Sequence, residues 1–188
     1  MKIVVGILVV AFGLCAVIGL FGALAARQFV KNTVVSEPTQ LRAVGQEIAA
    51  YEVPEGYSEA FGMQLGPAKT VMITRRDKDP DGLVIMLLQL PSDGTDTAQI
   101  EAQMRQMMAQ RSGNVLGGQL EPMREMDVIL NGQSIGLIVS ESEGGADNGM
   151  RQISGVFDGT SGPVMLLIMG RIGSWDEEAL DAFMTSLQ

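Results

Sequence analysis

The chain has 188 residues and a mass of 20.1 kDa, room for one domain of ordinary size. It carries 22 acidic against 13 basic side chains, one Cys and no His. The missing His excludes imidazole-built zinc sites, Ser-His-Asp and Cys-His catalytic pairs, and any histidine pH switch.

The apolar composition is concentrated at the N-terminus. From Ile3 to Ala26 the chain runs without a charge or a strongly hydrogen-bonding side chain. As a helix rising about 1.5 Å per residue, this run reaches roughly 36 Å, enough to cross a hydrocarbon core of about 30 Å with some tilt. It reads as a transmembrane anchor over residues 1–26, with residues 3–26 in the membrane. The competing reading is a cleavable signal, since Lys2 supplies a positive start and Ala23-Leu24-Ala25 a small-x-small cleavage pattern; the apolar run is longer than a signal usually needs. Cys15 follows Phe12-Gly13-Leu14, which lacks the small residue expected before a lipidated cysteine. Lys2 before the run is nearly balanced by Arg27 and Lys31 after it. The two-residue tail ahead of a signal-like run favours a cytoplasmic N-terminus and an extracytoplasmic C-terminal domain, in the periplasm or at the cell exterior. Both readings of the run imply export. Ala11, Cys15, Gly19 and Ala23 form a four-residue-spaced stripe of small side chains, a candidate face for homodimerisation in the membrane, though small residues are common in any such helix.

Residues 27–40 read as a polar juxtamembrane linker, and residues 41–188 as the exported domain. Past Val34 there are ten basic against 22 acidic residues, a net charge of −12. That sign excludes nucleic acid as a natural partner and disfavours docking on anionic lipid headgroups. No Cys follows Cys15, so no disulfide supports the domain.

Strands are expected over 47–53, 59–65, 68–74 and 83–90, punctuated by Pro54-Glu55-Gly56, Gly66-Pro67 and the charged loop from Arg75 to Gly82. The run LVIMLLQL is nearly all apolar and reads as a central strand buried on both faces. Thr97 to Arg111 has the helical period, with Ile100, Met104, Met107 and Met108 on one face. Met104, Met107 and Met108 are the candidate binding surface, because Met adapts to varied partners; at this spacing the same residues also suit a core. A second group of strands follows at 120–130, 133–142, 150–157 and 163–170, the first two joined by the hairpin signal Asn131-Gly132, with Ile135, Leu137 and Val139 on one face. The chain closes on a helix with a capping box from Ser174 to Glu177 and a buried face of Ala179, Leu180, Phe183, Met184 and Leu187; Trp175, in its first turn, is expected against the sheet. The predicted class is α+β: a mostly antiparallel sheet of two meanders, with a middle and a C-terminal helix packed on it, behind one transmembrane helix.

Motifs that suggest chemistry are incomplete. Gly132-Gln133-Ser134-Ile135-Gly136 fits a nucleophile elbow, but it lies after a hairpin turn, with a strand behind it and no histidine to take the proton. Ser-Lys catalysis has only Lys69 and Lys78 to draw on, neither three residues after a serine. Asp77, Asp79, Asp81 and Gly82 open like a calcium loop whose twelfth position is Leu88 rather than a bidentate Glu. Glu141, Glu143, Asp147 and Asn148 make a second acidic loop. Both read as solvated turns. No cofactor motif and no metal-spaced cluster is present, so neither cofactor, metal nor catalytic residue is expected.

The succession of an apolar N-terminal segment, Val53-Pro54-Glu55-Gly56-Tyr57, a hairpin sheet, a middle helix, more hairpins and a last helix closing at Phe183-Met184-Thr185-Ser186-Leu187 resembles the PsbP-like and DcrB-like exported bacterial domains over residues 45–188. The resemblance implies a membrane-associated accessory protein without catalytic activity, whose work is binding or assembly. It transfers no functional residue, and metal binding through imidazole cannot carry over to a chain without histidine. The leading expectation is a non-catalytic, membrane-anchored binding domain with a protein partner in envelope complex assembly. The alternative is a small-molecule or lipid carrier with a Met-lined pocket between sheet and helix.

Overall fold

A computed structural model describes residues 34–77, 82–91, 99, 100, 102, 120–130, 133–142 and 149–187. The chain divides into units Met1–Val34 and Val35–Gln188. The anchor expected at residues 3–26, with Ala11, Cys15, Gly19 and Ala23, lies outside the described residues. Among the described residues no helix is long and apolar enough to cross a membrane.

The domain is α+β. Its elements are β1 (Val34–Val35), α1 (Pro38–Ile48), β2 (Tyr57–Leu65), β3 (Ala68–Arg75), β4 (Val84–Gln89), β5 (Leu120–Leu130), β6 (Gln133–Ser142), β7 (Met150–Gly159), β8 (Gly162–Arg171) and α2 (Glu177–Ser186). The strands form one sheet in the order β1-β2-β3-β4-β8-β7-β6-β5. Every pairing from β2 onward is antiparallel. The two expected meanders are therefore one sheet, joined where β4 pairs with β8.

Register explains the core. Ile73, Ile85, Ile168, Ile153 and Val139 follow one another across β3, β4, β8, β7 and β6 as direct cross-strand neighbours. Val71, Leu87 and Leu166 make the next row on the same face. Helices α1 and α2 both lie on this face, and their Val44, Ile48, Leu180 and Phe183, with Leu187 just past the end of α2, join its residues in one buried cluster. Each such side chain taken fully out of water contributes about 1.5–3 kcal/mol. Tyr51 and Phe183 close the seam between the helices, with ring centroids 5.8 Å apart.

Three expectations are corrected. Residues 47–53 are not a strand: Pro38 opens a helix at its first turn, and Leu41, Val44, Gly45 and Ile48 recur at helical spacing along its buried side. Strand β4 is central, but only Ile85, Leu87 and Gln89 are buried; Val84, Met86 and Leu88 are half-buried, because both helices lie on the opposite face. The cap of α2 is Asp176 rather than Ser174: Ile172–Ser174 winds into a short 3-10 turn that delays the helix. Asp176 Oδ1 then accepts from the Ala179 N–H at 3.0 Å. Of the middle helix, Gln99, Ile100 and Ala102 are helical. Met104, Met107 and Met108 lie outside the described residues.

Candidate functional site

The register row that runs through the core does not end in an apolar residue. Val139 on β6 opposes Arg124 on β5, and beyond it Leu137 opposes Met126 and Ile135 opposes Val128. Arg124, Met126 and Val128 thus continue the core face of the sheet onto its last strand. Leu180 and Met184 of α2 stand over this part of the face without closing it. Val128 and Met126 are left half-buried and Arg124 exposed.

The result is a cleft of about 180 Å3 between α2 and the β5–β6–β7 part of the sheet. Its floor is Met126, Val128, Leu137, Val139 and Ile153; Leu180, Met184 and Trp175 form the helix side; Arg124, Arg151, Glu177 and Asp181 stand around the mouth. A narrow apolar floor with a few charged groups above it suits a small apolar group attached to something polar.

One end of the cleft is rigidly built. Glu141, Arg151 and Gly170 are cross-strand neighbours on β6, β7 and β8. Arg151 Nε donates to Glu141 Oε1 at 2.7 Å, and its Nη1 lies 3.5 Å from Glu177 Oε1 on α2. The same guanidinium stands over the Trp175 ring, 5.1 Å from its centroid. Gly170 leaves the space that the indole uses: a Cβ there would lie 3.3 Å from Trp175 Cε3 and 2.9 Å from Leu83 Cδ2. The Trp175 indole N–H is buried and has no acceptor among the described residues.

Arg124 differs from Arg151. No carboxylate among the described residues reaches it, so a free cation stands at the open side of an apolar cleft in a chain of net charge −9.

Two other polar clusters are structural. Tyr51 donates to Glu59 Oε1 at 2.7 Å, and Arg42 reaches the same oxygen at 3.2 Å while lying over the Tyr51 ring. Burial, followed by the hydrogen bond to Glu59 and its charge, pushes the Tyr51 phenol far above its ordinary range. The Tyr57 phenol is also raised, by burial first; its bond from the Leu83 N–H opposes the rise and Asp176 adds to it. Both phenols are fixed donors at neutral pH, not acid–base groups.

The sequence motifs are placed as follows. Ser134 is exposed within β6, opposite Ile129, and not on a strand-to-helix turn. Asp77 pairs with Arg75 at 3.0 Å, while Asp79 and Asp81 lie outside the described residues. Glu141 holds Arg151, while Glu143, Asp147 and Asn148 lie outside them. No group of three metal-ligating side chains occurs among the described residues. The sequence reading passed over Arg124, Trp175 and Arg151 as a group, although the alternation Arg124, Met126, Val128 was there to be seen. No family model matches the chain, and comparison with curated proteins finds no match.

Proposed function

We propose that the chain is a single-pass membrane protein whose extracytoplasmic domain is a non-catalytic binding module for a protein partner, serving assembly of an envelope complex. The observation that supports this most is the cleft beside β5, an apolar recess at the margin of the sheet with Arg124, unpaired among the described residues, at its mouth. The anchor read at residues 3–26 and the PsbP-like and DcrB-like resemblance belong to the same proposal, as does an exported domain.

A lipid carrier is a poorer fit to the cleft. About 180 Å3 lies below the roughly 300–1,000 Å3 of most small-molecule sites.

Two measurements test the reading. Crosslinking in intact membranes followed by recovery of the full chain should bring down a specific partner, and its repeated absence overturns the module. Protease added to the outer side of sealed inner membranes should digest the domain; protection reverses the orientation.

A further inference from the structure

Strand β5 ends the sheet: among the described residues no element lies on its outer edge. On an edge strand, alternate residues turn their N–H and C=O groups outward, a template for an added strand. The start of β5 is closed to such pairing. Pro122 lacks an N–H, and the register slips between Pro122 and Arg124, leaving Met123 as an unpaired bulge that is 63% exposed. From Arg124 to Leu130 the pairing with β6 is regular. That stretch carries the side chains that line the open side of the cleft.

We infer that β5 accepts an extended peptide of a partner protein as an additional strand, with one large apolar side chain filling the cleft and an acidic side chain two residues away meeting Arg124. This rests on the binding-module reading and names its ligand.

The spacing follows from the pleat. Residues two apart on a strand share a face, so a residue beside Met126 or Val128 points into the cleft when its neighbour two positions on points toward Arg124. Size sets the anchor. A cavity of about 150 Å3 holds a benzene, so the 180 Å3 here holds one phenyl ring or a branched aliphatic group and not a long chain. Charge sets the second residue and the direction. Among the described residues Arg124 has no acidic partner, Arg151 is already engaged by Glu141 and Glu177, and Glu177 with Asp181 on the α2 rim repel an acid from that side. Main-chain bonds along β5 then supply affinity, while the pocket and Arg124 supply selectivity.

Trp175, the only tryptophan, lines the cleft and reports on it directly. The full chain in detergent is titrated with an acetylated, amidated pentapeptide, Thr-Phe-Thr-Asp-Thr, while Trp175 emission is followed. A saturable change is expected, with affinity falling about threefold to tenfold when the aspartate becomes lysine. Arg124→Glu, an exposed position that leaves the core intact, should reverse that preference. N-methylation of the peptide on one alternating set of amides should abolish binding, and on the other set should not. Absence of a saturable response, equal affinity for the aspartate and lysine peptides, or indifference to N-methylation on both sets each overturns the inference. So does phenylpropionate binding as well as the peptide, which would make this a small-molecule site. If the peptide fails while a crosslinked partner is still recovered, strand addition falls and the module stands; if no partner is recovered either, both fall.

Discussion

The Tyr57 hydroxyl donates to Asp176 Oδ2 at 3.1 Å, and the other oxygen of that carboxylate caps α2 through the Ala179 N–H. The same hydroxyl accepts from the Leu83 N–H at 3.2 Å. One buried phenol therefore ties the start of β2 to the entry of β4 and to the start of the last helix. Tyr57→Phe removes the acceptor of a buried amide as well as a partner of the cap, and should cost about 1–3 kcal/mol. Asp176→Ala loses the cap and the phenol's acceptor and should cost about 1–2 kcal/mol. Because the two residues share a bond, the double variant should cost less than the sum of the two. Denaturant unfolding of the three variants measures this, and strict additivity would show that the bond contributes nothing.

Gly45 offers a test in which two effects have opposite signs. In the middle of an exposed helix, Gly→Ala stabilises by up to about 1 kcal/mol. On the buried side of α1, a Cβ at position 45 would collide with the Tyr51 hydroxyl. That hydroxyl is held by Glu59, and Arg42 Nη2 donates to the Tyr51 carbonyl at 3.0 Å, so the ring has little freedom to retreat. Gly45→Ala should therefore destabilise, by about 1–3 kcal/mol. Relief of the clash by Tyr51→Phe in the same chain should recover part of the loss. A stabilised Gly45→Ala variant would mean that Tyr51 does not pack on this position.

These two residues also show where the sequence was and was not legible. Strands β2 to β8 could be read because alternation and turn residues are local signals; Ile135, Leu137 and Val139 are buried on one face as their spacing implied. Helix α1 was missed because its pattern straddles a boundary drawn on composition. Read from Pro38, the residues Leu41, Val44, Gly45 and Ile48 are helical; read from Glu47, the segment EIAAYEV resembles a strand. The cleft was not legible, since it depends on β5 and β6 placing Arg124 opposite Val139 and on Met126 and Val128 being left half-buried beside α2. Neither follows from local spacing. The cleft lies beside α2 and its methionines are Met126 and Met184; the expected pocket lined by Met104, Met107 and Met108 falls on residues outside the described ones.

The Trp175 corner of the cleft should be sensitive to the size of residue 170. Gly170→Val would drive side-chain atoms into both Leu83 and the indole, which cannot yield without leaving the Arg151 guanidinium. The expected outcome is a red-shifted Trp175 emission and a loss of about 1–3 kcal/mol. Arg151→Met separates the two contributions: it keeps the stem that packs on the ring but leaves Glu141 and Glu177 unpaired. Its cost should be modest, about 1 kcal/mol or less, since both carboxylates retain access to water. Emission unchanged in Gly170→Val would place the indole elsewhere.

The chain has two tyrosines, Tyr51 and Tyr57, 3% and 1% exposed, and both phenols are raised above their ordinary range, chiefly by burial. An unfolded phenol loses its proton near pH 10, whereas these two hold theirs in the folded domain. Stability from this source is therefore complete below about pH 10 and declines as the pH rises further, because the unfolded chain releases the protons at lower pH than the folded one. Phenolate absorbance should consequently stay flat through the ordinary tyrosine range. It should then rise in one step, together with loss of far-ultraviolet circular dichroism, as the domain unfolds. Tyr51→Phe should remove half of the absorbance step and soften the alkaline loss of stability. A gradual rise centred near pH 10 with the dichroism intact would show at least one phenol open to solvent, and would contradict the buried bonds to Glu59 and Asp176.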